Sequence, residues 1–327
     1  MAYQNVGTPR FYINVVEWLK VNNAITLSGS GDWDESIWNT LPVIPSYYDS
    51  NILDNATDLS FSSNILTPYS FLAILGHNLR AYNPDYSMYI QSEGLNVETK
   101  DVINSFTIGQ DQGTLYNGFS IGTFDGAHKV NLHILVVGKV GSMVVGTYYD
   151  MPHSPDLKLT MTREMDGVKR IRTKGGTDLV NHKYIKPAVW TDGNGVGGAA
   201  WELYLGTPTG QELSRSGRRI WDLSFSYLSD SSIFPETSAL SNLGHSDYDV
   251  YNWDTNTLLT DDNFYSQVIH KTNGGQLPFI FNPAGGGDNP NNSADMFAIC
   301  KLDMNSYEFE QVAKNIYNIK LKIREVW

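Results

Sequence analysis

The run near the end of the chain, YNIKLKIR (317–324), constrains the fold more than any other stretch. Tyr317, Ile319, Leu321 and Ile323 alternate strictly with Asn318, Lys320, Lys322 and Arg324. Successive side chains of an extended chain point to opposite faces, so this period of two separates an apolar side from a polar one. A strand of that kind is buried on one face, and its other face is wet or meets a partner, as in an antiparallel sheet. RIWDLSFSYL (219–228) repeats the pattern, with Trp221, Leu223, Phe225 and Tyr227 on one side.

Short β-branched or aromatic runs recur at 58–62, 70–75, 86–91, 130–137, 143–149 and 200–205, with Gly, Asn, Asp or Pro between them. Many short strands separated by turn residues predict a sandwich or jelly roll. Composition agrees: 19 tyrosines and 8 tryptophans suit pleated surfaces better than helices. The 327 residues suffice for two domains or one large all-β unit. The expectation is a mainly β protein of two β-sandwich, jelly-roll-like domains with few short helices. Two prolines close behind a strand in DMPHSP (150–155) place the boundary there, giving an N-terminal sandwich over 1–152 and a second β-rich unit over 153–327.

Three local readings are more specific. FYINVVEWLKV (11–21) puts Tyr12, Val15, Val16 and Leu19 on one helical face, while its β-branched content equally permits a strand. Leu157, Leu159 and Met161 alternate with Lys158, Thr160 and Thr162, and Asp166-Gly167 then precedes VKRIRTKGG. An Asp-Gly pair between two such runs predicts a hairpin with a type I′ turn, so the second unit is expected to be hairpin-led. Only 306–316 is expected to include a short helix.

The residues that carry chemistry elsewhere are present here without the spacing that chemistry needs. Gly118-Phe-Ser-Ile-Gly122 fits the G-x-S-x-G pattern, but that elbow needs a strand, a strained turn and a helix, and Thr123-Phe-Asp-Gly126 is a poor helix start. Ser120 is therefore expected in a strand or loop. The seven histidines form no H-E-x-x-H pair and no close pattern with Cys300, the single cysteine, which sits in the apolar run MFAIC (296–300) as a core residue. Asp32, Asp34 and Glu35, and likewise Asp288 and Asp295, lie in acidic loops without the spacing of a calcium loop. No catalytic, cofactor or metal site is expected. Trp33, Trp38, Tyr47 and Tyr48 are of the type that stacks on sugars, and aromatics in such loops equally plug a core or anchor a subunit contact.

A net charge of −12 argues against nucleic acid, whose phosphates demand Lys and Arg. The one basic run, Lys169 to Lys174, reads as the solvated face of a hairpin strand, with contact to an acidic partner as the alternative. No window offers a membrane span, and the first ten residues lack the regions of a secretory leader, so a protein made and kept in a cytoplasm is expected. In FLAILGHNL (71–79), five apolar residues predict a buried strand. Gly76, His77 and Asn78 are expected to terminate it, with His77 and Asn78 bonding to loop backbone rather than doing chemistry.

Several stretches together resemble a family of structural proteins from tailed bacteriophages, marine ones especially. They are MAYQNVGTPRFYINVVEWLK (1–20), FLAILGHNLR (71–80), GRRIWDLSFSYLSDSSIFP (217–235), LPFIFNPAGGGDNPNNSADMFAICKLD (277–303) and the final YNIKLKIREVW. The second is similar to a strand end found in virion proteins with a galactose-binding-like jelly roll. The resemblance implies a non-enzymatic virion component, of the tail adaptor or baseplate type, assembled in the host bacterial cytoplasm. Its implied partners are itself, in a ring or other symmetric oligomer, and other virion proteins. A carbohydrate-binding module that recognises the host surface, or a capsid-surface protein, is the alternative.

Overall fold

The computed structural model describes residues 6–29, 35–41, 57–63, 69–77, 87–93, 104–107, 118–127, 129–134, 142–157, 159–165, 169–181, 217–236, 257–292 and 296–326. Over these the protein is mainly β, with few short helices.

The largest sheet begins with β10 (Thr160–Glu164), β13 (Arg218–Ser229), β17 (Ile316–Glu325), β15 (Ala298–Leu302) and β14 (Phe279–Asn282). It continues through β1 (Arg10–Asn14), β9 (Ser142–Asp150), β4 (Tyr69–His77) and β7 (Gly118–Ala127), and β16 (Phe309–Ala313) pairs with β17 beside this path. A second sheet runs β2 (Ile25–Gly29), β3 (Thr57–Ser63), β8 (Lys129–Ile134), β5 (Ser87–Glu93), β6 (Asn104–Thr107). The third is a ribbon of β11 (Lys169–Arg172) and β12 (Asp178–Asn181).

In the first half of the chain the pairs nest: β3 with β8, β4 with β7, β5 with β6, all antiparallel. This is the connectivity of a long antiparallel hairpin rolled between two sheets, a jelly-roll-like arrangement. The expected boundary at 152 falls between β9 and β10, yet the large sheet continues across it. Phe11 of β1 pairs with Phe281 of β14 on one side and with Tyr149 of β9 on the other.

Both faces of this sheet carry buried side chains where β1, β9 and β14 meet. On one face Phe11, Phe281 and Trp221 pack at ring separations of 5.2 Å, and Phe264 closes over Phe11 at 5.7 Å. Phe264 and Val268 belong to a helical segment that includes Tyr265–Ile269 and His270–Thr272 and covers this face. On the other face Tyr12 meets Phe71 at 5.1 Å, beside Ala73, Leu75 and Val144. Each fully buried aromatic contributes about 1.5–3 kcal/mol from the area removed from water.

The segment 11–21 satisfies both of its readings in turn. It is β1 as far as Asn14 and then helix α1 (Val15–Val21). The Asn14 side chain accepts the Glu17 amide at 3.1 Å and donates to the Glu17 carboxylate at 3.3 Å, an Asn version of the capping box. A further helix among the described residues, α2 (Asp230–Ile233), is a single turn capped by Ser229.

Three expectations are corrected. Among the described residues 157–165 does not pair with 169–176, and Asp166-Gly167 itself lies outside them. Instead β10 pairs with β13, and β11 turns back on β12 through Thr173 to Thr177, where Gly176 takes φ +84°. Met161 finds buried Trp221 as its cross-strand neighbour, whereas β11 is exposed throughout and has no buried surface to offer β10. Second, Tyr227 leaves the apolar face of β13. A bulge between Phe225 and Leu228 gives it φ +61° and 79 % exposure, and Leu228 takes the buried position. Third, 306–316 holds no helix among its described residues. β16 and β17 form a hairpin there over Lys314-Asn315, with Asn315 at φ +59°.

Candidate functional site

The β1–α1 junction builds a buried polar cluster from neighbouring residues. Asn14 Nδ2 donates to the Trp38 carbonyl (2.8 Å) and Thr40 Oγ1 (3.0 Å), while Thr40 donates to Glu17 from its amide (2.9 Å) and its hydroxyl (2.7 Å). Burial pushes the Glu17 carboxyl above its usual range, and the Thr40 hydrogen bonds pull against that. At the start of β1, Arg10 grips Asp150 through Nε (2.5 Å) and Nη2 (2.7 Å), with its guanidinium 4.3 Å from the Tyr148 ring centre. Burial works against this charge. The Asp150 contacts outweigh it, so Arg10 stays firmly protonated.

Within the covering helical segment Lys271 is fully buried, with Nζ donating to Gln267 Oε1 at 2.7 Å. Thr147 Oγ1 donates to the same oxygen (3.2 Å), and Gln267 Nε2 donates to the Asp261 carbonyl (2.7 Å). Burial lowers the Lys271 pKa to about 7 despite the favourable charge of Asp262. His270 is lowered as well, by burial and then by Lys271. Such an amine is basic enough at neutral pH to act as a nucleophile or base, but with no exposed surface it meets no dissolved substrate in this conformation. A second buried charge is Arg219, bonded to Glu325 on the apolar side of the large sheet next to Cys300.

The polar side of that sheet is open. A shallow groove there is lined by Thr160, Asp222, Ser224, Met304, Lys320 and Lys322. The third sheet is more exposed still. Ile171 and Leu179 sit directly opposite each other on β11 and β12, yet are 62 % and 56 % exposed. Lys169, Arg170, Arg172 and Lys174 surround them. Among the described residues no further strand pairs with either edge of this ribbon.

The residues singled out from sequence scatter rather than converge. Trp38 is 4 % exposed and offers no ring face to a sugar, while Trp33, Tyr47 and Tyr48 lie outside the described residues. β4 continues through Gly76 to His77, with an irregular register between Leu75 and His77, and Asn78 lies outside the described residues. Ser120 is inside β7, paired with Ile74, without the strand–turn–helix setting of a nucleophile elbow. Cys300 is fully buried in β15. Asp288 is exposed in its loop, and Asp32, Asp34 and Asp295 lie outside the described residues. Among the described residues no three His, Cys, Asp or Glu are grouped to hold a metal, and no helix is long and apolar enough to cross a membrane.

Sequence reasoning missed Lys271 and the Arg219–Glu325 pair. Nothing local marks Lys271 as buried; Arg219 and Glu325 fall on the apolar parity of their strands, but only the pairing of β13 with β17 brings them together. The exposed ribbon left a partial signal in the basic run around Ile171.

No family model, curated protein or solved structure matches this chain.

Proposed function

We propose that this protein is a non-enzymatic structural component of a tailed-phage virion, of the tail adaptor or baseplate type, acting by assembly with copies of itself and with other virion proteins. The observation that carries this reading is a convergence. The stretches with phage-like wording are separated by up to hundreds of residues in sequence, yet they supply β1, β4, β13, β14, β15 and β17, strands of one sheet. A resemblance spread over unrelated surface loops would mean little. One whose stretches each contribute a strand to the same sheet is what a shared architecture produces.

The scaffold suits such a role. Its large sheet is buried on both faces at its centre, and its charged outer face and ribbon are exposed, as an assembling subunit requires. Assembly in the host cytoplasm and incorporation into the particle follow from the proposal. Quantitative mass spectrometry of purified particles tests it: the protein should be present in multiple copies per virion. Its absence from particles that encode it would overturn the reading.

A further inference from the structure

We infer that the β11–β12 ribbon is a docking arm that seats on the acidic, open-edged β16 strand of a second copy of this chain. This deepens the assembly reading by naming the contact and the partner.

An isolated two-stranded ribbon is marginally stable in water, because it has no second layer to cover its apolar side chains. Here Ile171 and Leu179 form a directly opposed pair, and both stay mostly exposed. The side chains of Arg170 and Arg172 lie on the opposite face from that pair, and Lys169 flanks the pair itself. Only Asp178 offsets the charge within the strands, through a 3.1 Å contact with Arg172. The segment 169–181 holds four basic residues and one acid, a charge of +3 in a chain totalling −12, which leaves −15 elsewhere. A basic arm on an acidic body is complementary to another copy of itself.

β16 has the matching features. It pairs only with β17 among the described strands, and no described strand occupies its outer backbone edge, the kind of edge to which a further strand adds. Glu308 and Glu310 are exposed beside it, and Val312 adds an apolar side chain at 43 % exposure. Ion pairs from Arg170 and Arg172 to Glu308 and Glu310 would use one face of the added strand, which puts Ile171 and Leu179 on the other face, the side of Phe309. A head-to-tail contact of this kind builds rings or open chains rather than an isolated dimer.

Sedimentation velocity on the full chain tests this, at low salt and at about 1 M salt, where the screening length falls to about 3 Å. Wild type should self-associate with concentration at low salt and dissociate at high salt. Ile171→Ser/Leu179→Ser, Arg170→Glu/Arg172→Glu and Glu308→Lys/Glu310→Lys should each weaken association at least about tenfold, since paired hot-spot changes cost more than 1.4 kcal/mol. Each altered residue is on an exposed segment, so melting temperatures should stay close to wild type. Mixing the two charge-reversed proteins should restore association, because the acidic ribbon then meets a basic edge. Oligomers that ignore every substitution would overturn the ribbon proposal while leaving the assembly reading intact. Loss of association in the ribbon variants alone would overturn the assignment to β16. A protein monomeric at all concentrations would overturn the proposal and remove the self-assembly on which the wider reading rests.

Discussion

Arg219 donates to both carboxylate oxygens of Glu325, from Nε at 3.1 Å and from Nη2 at 3.0 Å, on the apolar side of the large sheet. The same carboxylate accepts the Arg219 amide at 2.8 Å, and Nη2 also reaches the Phe297 carbonyl at 2.6 Å. The pair thus ties β13 to β17 and to the residue before β15. Both partners are nearly buried, so removing one strands the other. Glu325→Ala or Arg219→Ala should cost about 3–5 kcal/mol, whereas Arg219→Met/Glu325→Leu together should cost far less than the sum. Urea denaturation of the two single variants and the double variant measures this, and additive losses would contradict it.

Lys271 makes stability depend on pH. Its folded pKa is about 7, below the ordinary 10.5, so between those values the unfolded chain binds a proton that the folded chain does not. Stability should therefore rise with pH from about 7 towards 10, with a slope of up to about 1.4 kcal/mol per pH unit from this group. Lys271→Met should flatten that rise. Unfolding free energies from pH 6 to 9.5 check the sign, and an equal slope in the variant would rule it out.

Gly146 sits where β1 passes into α1, paired with Asn14 of β1. A Cβ at this position would collide with the Ile13 carbonyl oxygen and come within 2.6 Å of the Val15 amide nitrogen. Both obstacles are backbone, so relief requires separating β1 from β9. Gly146→Ala should destabilise by roughly 3 kcal/mol or more, in the range of severe overpacking. A melting temperature equal to wild type would show that the strands can part at little cost.

Cys300 has no exposed surface, and its thiol pKa is pushed well up, first by burial and then by the nearby Glu325 charge. Thiolate is the reactive form, so the native protein should resist an aromatic disulfide reagent and react within the mixing time once denatured. Rapid labelling of the folded protein would contradict this placement.

What was legible before the fold follows from local periodicity. The alternation at Ile319, Leu321 and Ile323 survives as the buried side of β17, with Lys320 and Lys322 exposed. The apolar run before Gly76 is a fully buried strand for the same reason. Tyr227 shows the limit: its position in the alternation is correct, but one bulge reverses its direction, and no residue type nearby announces that bulge. The ribbon shows it too. Asp166-Gly167 is a strong local turn signal, yet Met161 gains buried Trp221 by pairing elsewhere, and tertiary burial outweighs turn preference. Of the aromatics read as contact candidates, Trp38 is buried in a turn that packs against β9, a strand far from it in sequence.

Residues read in order are enough to establish a mainly β chain, the wet face of individual strands and the core position of Cys300. Side-chain alternation and apolar runs are properties of consecutive residues, so they can be read one segment at a time. The folded arrangement alone puts β1 between β14 and β9, encloses Lys271, joins Arg219 to Glu325 and leaves Ile171 and Leu179 exposed. Those outcomes depend on which distant segment supplies the matching register and the covering surface, and no local pattern carries that information.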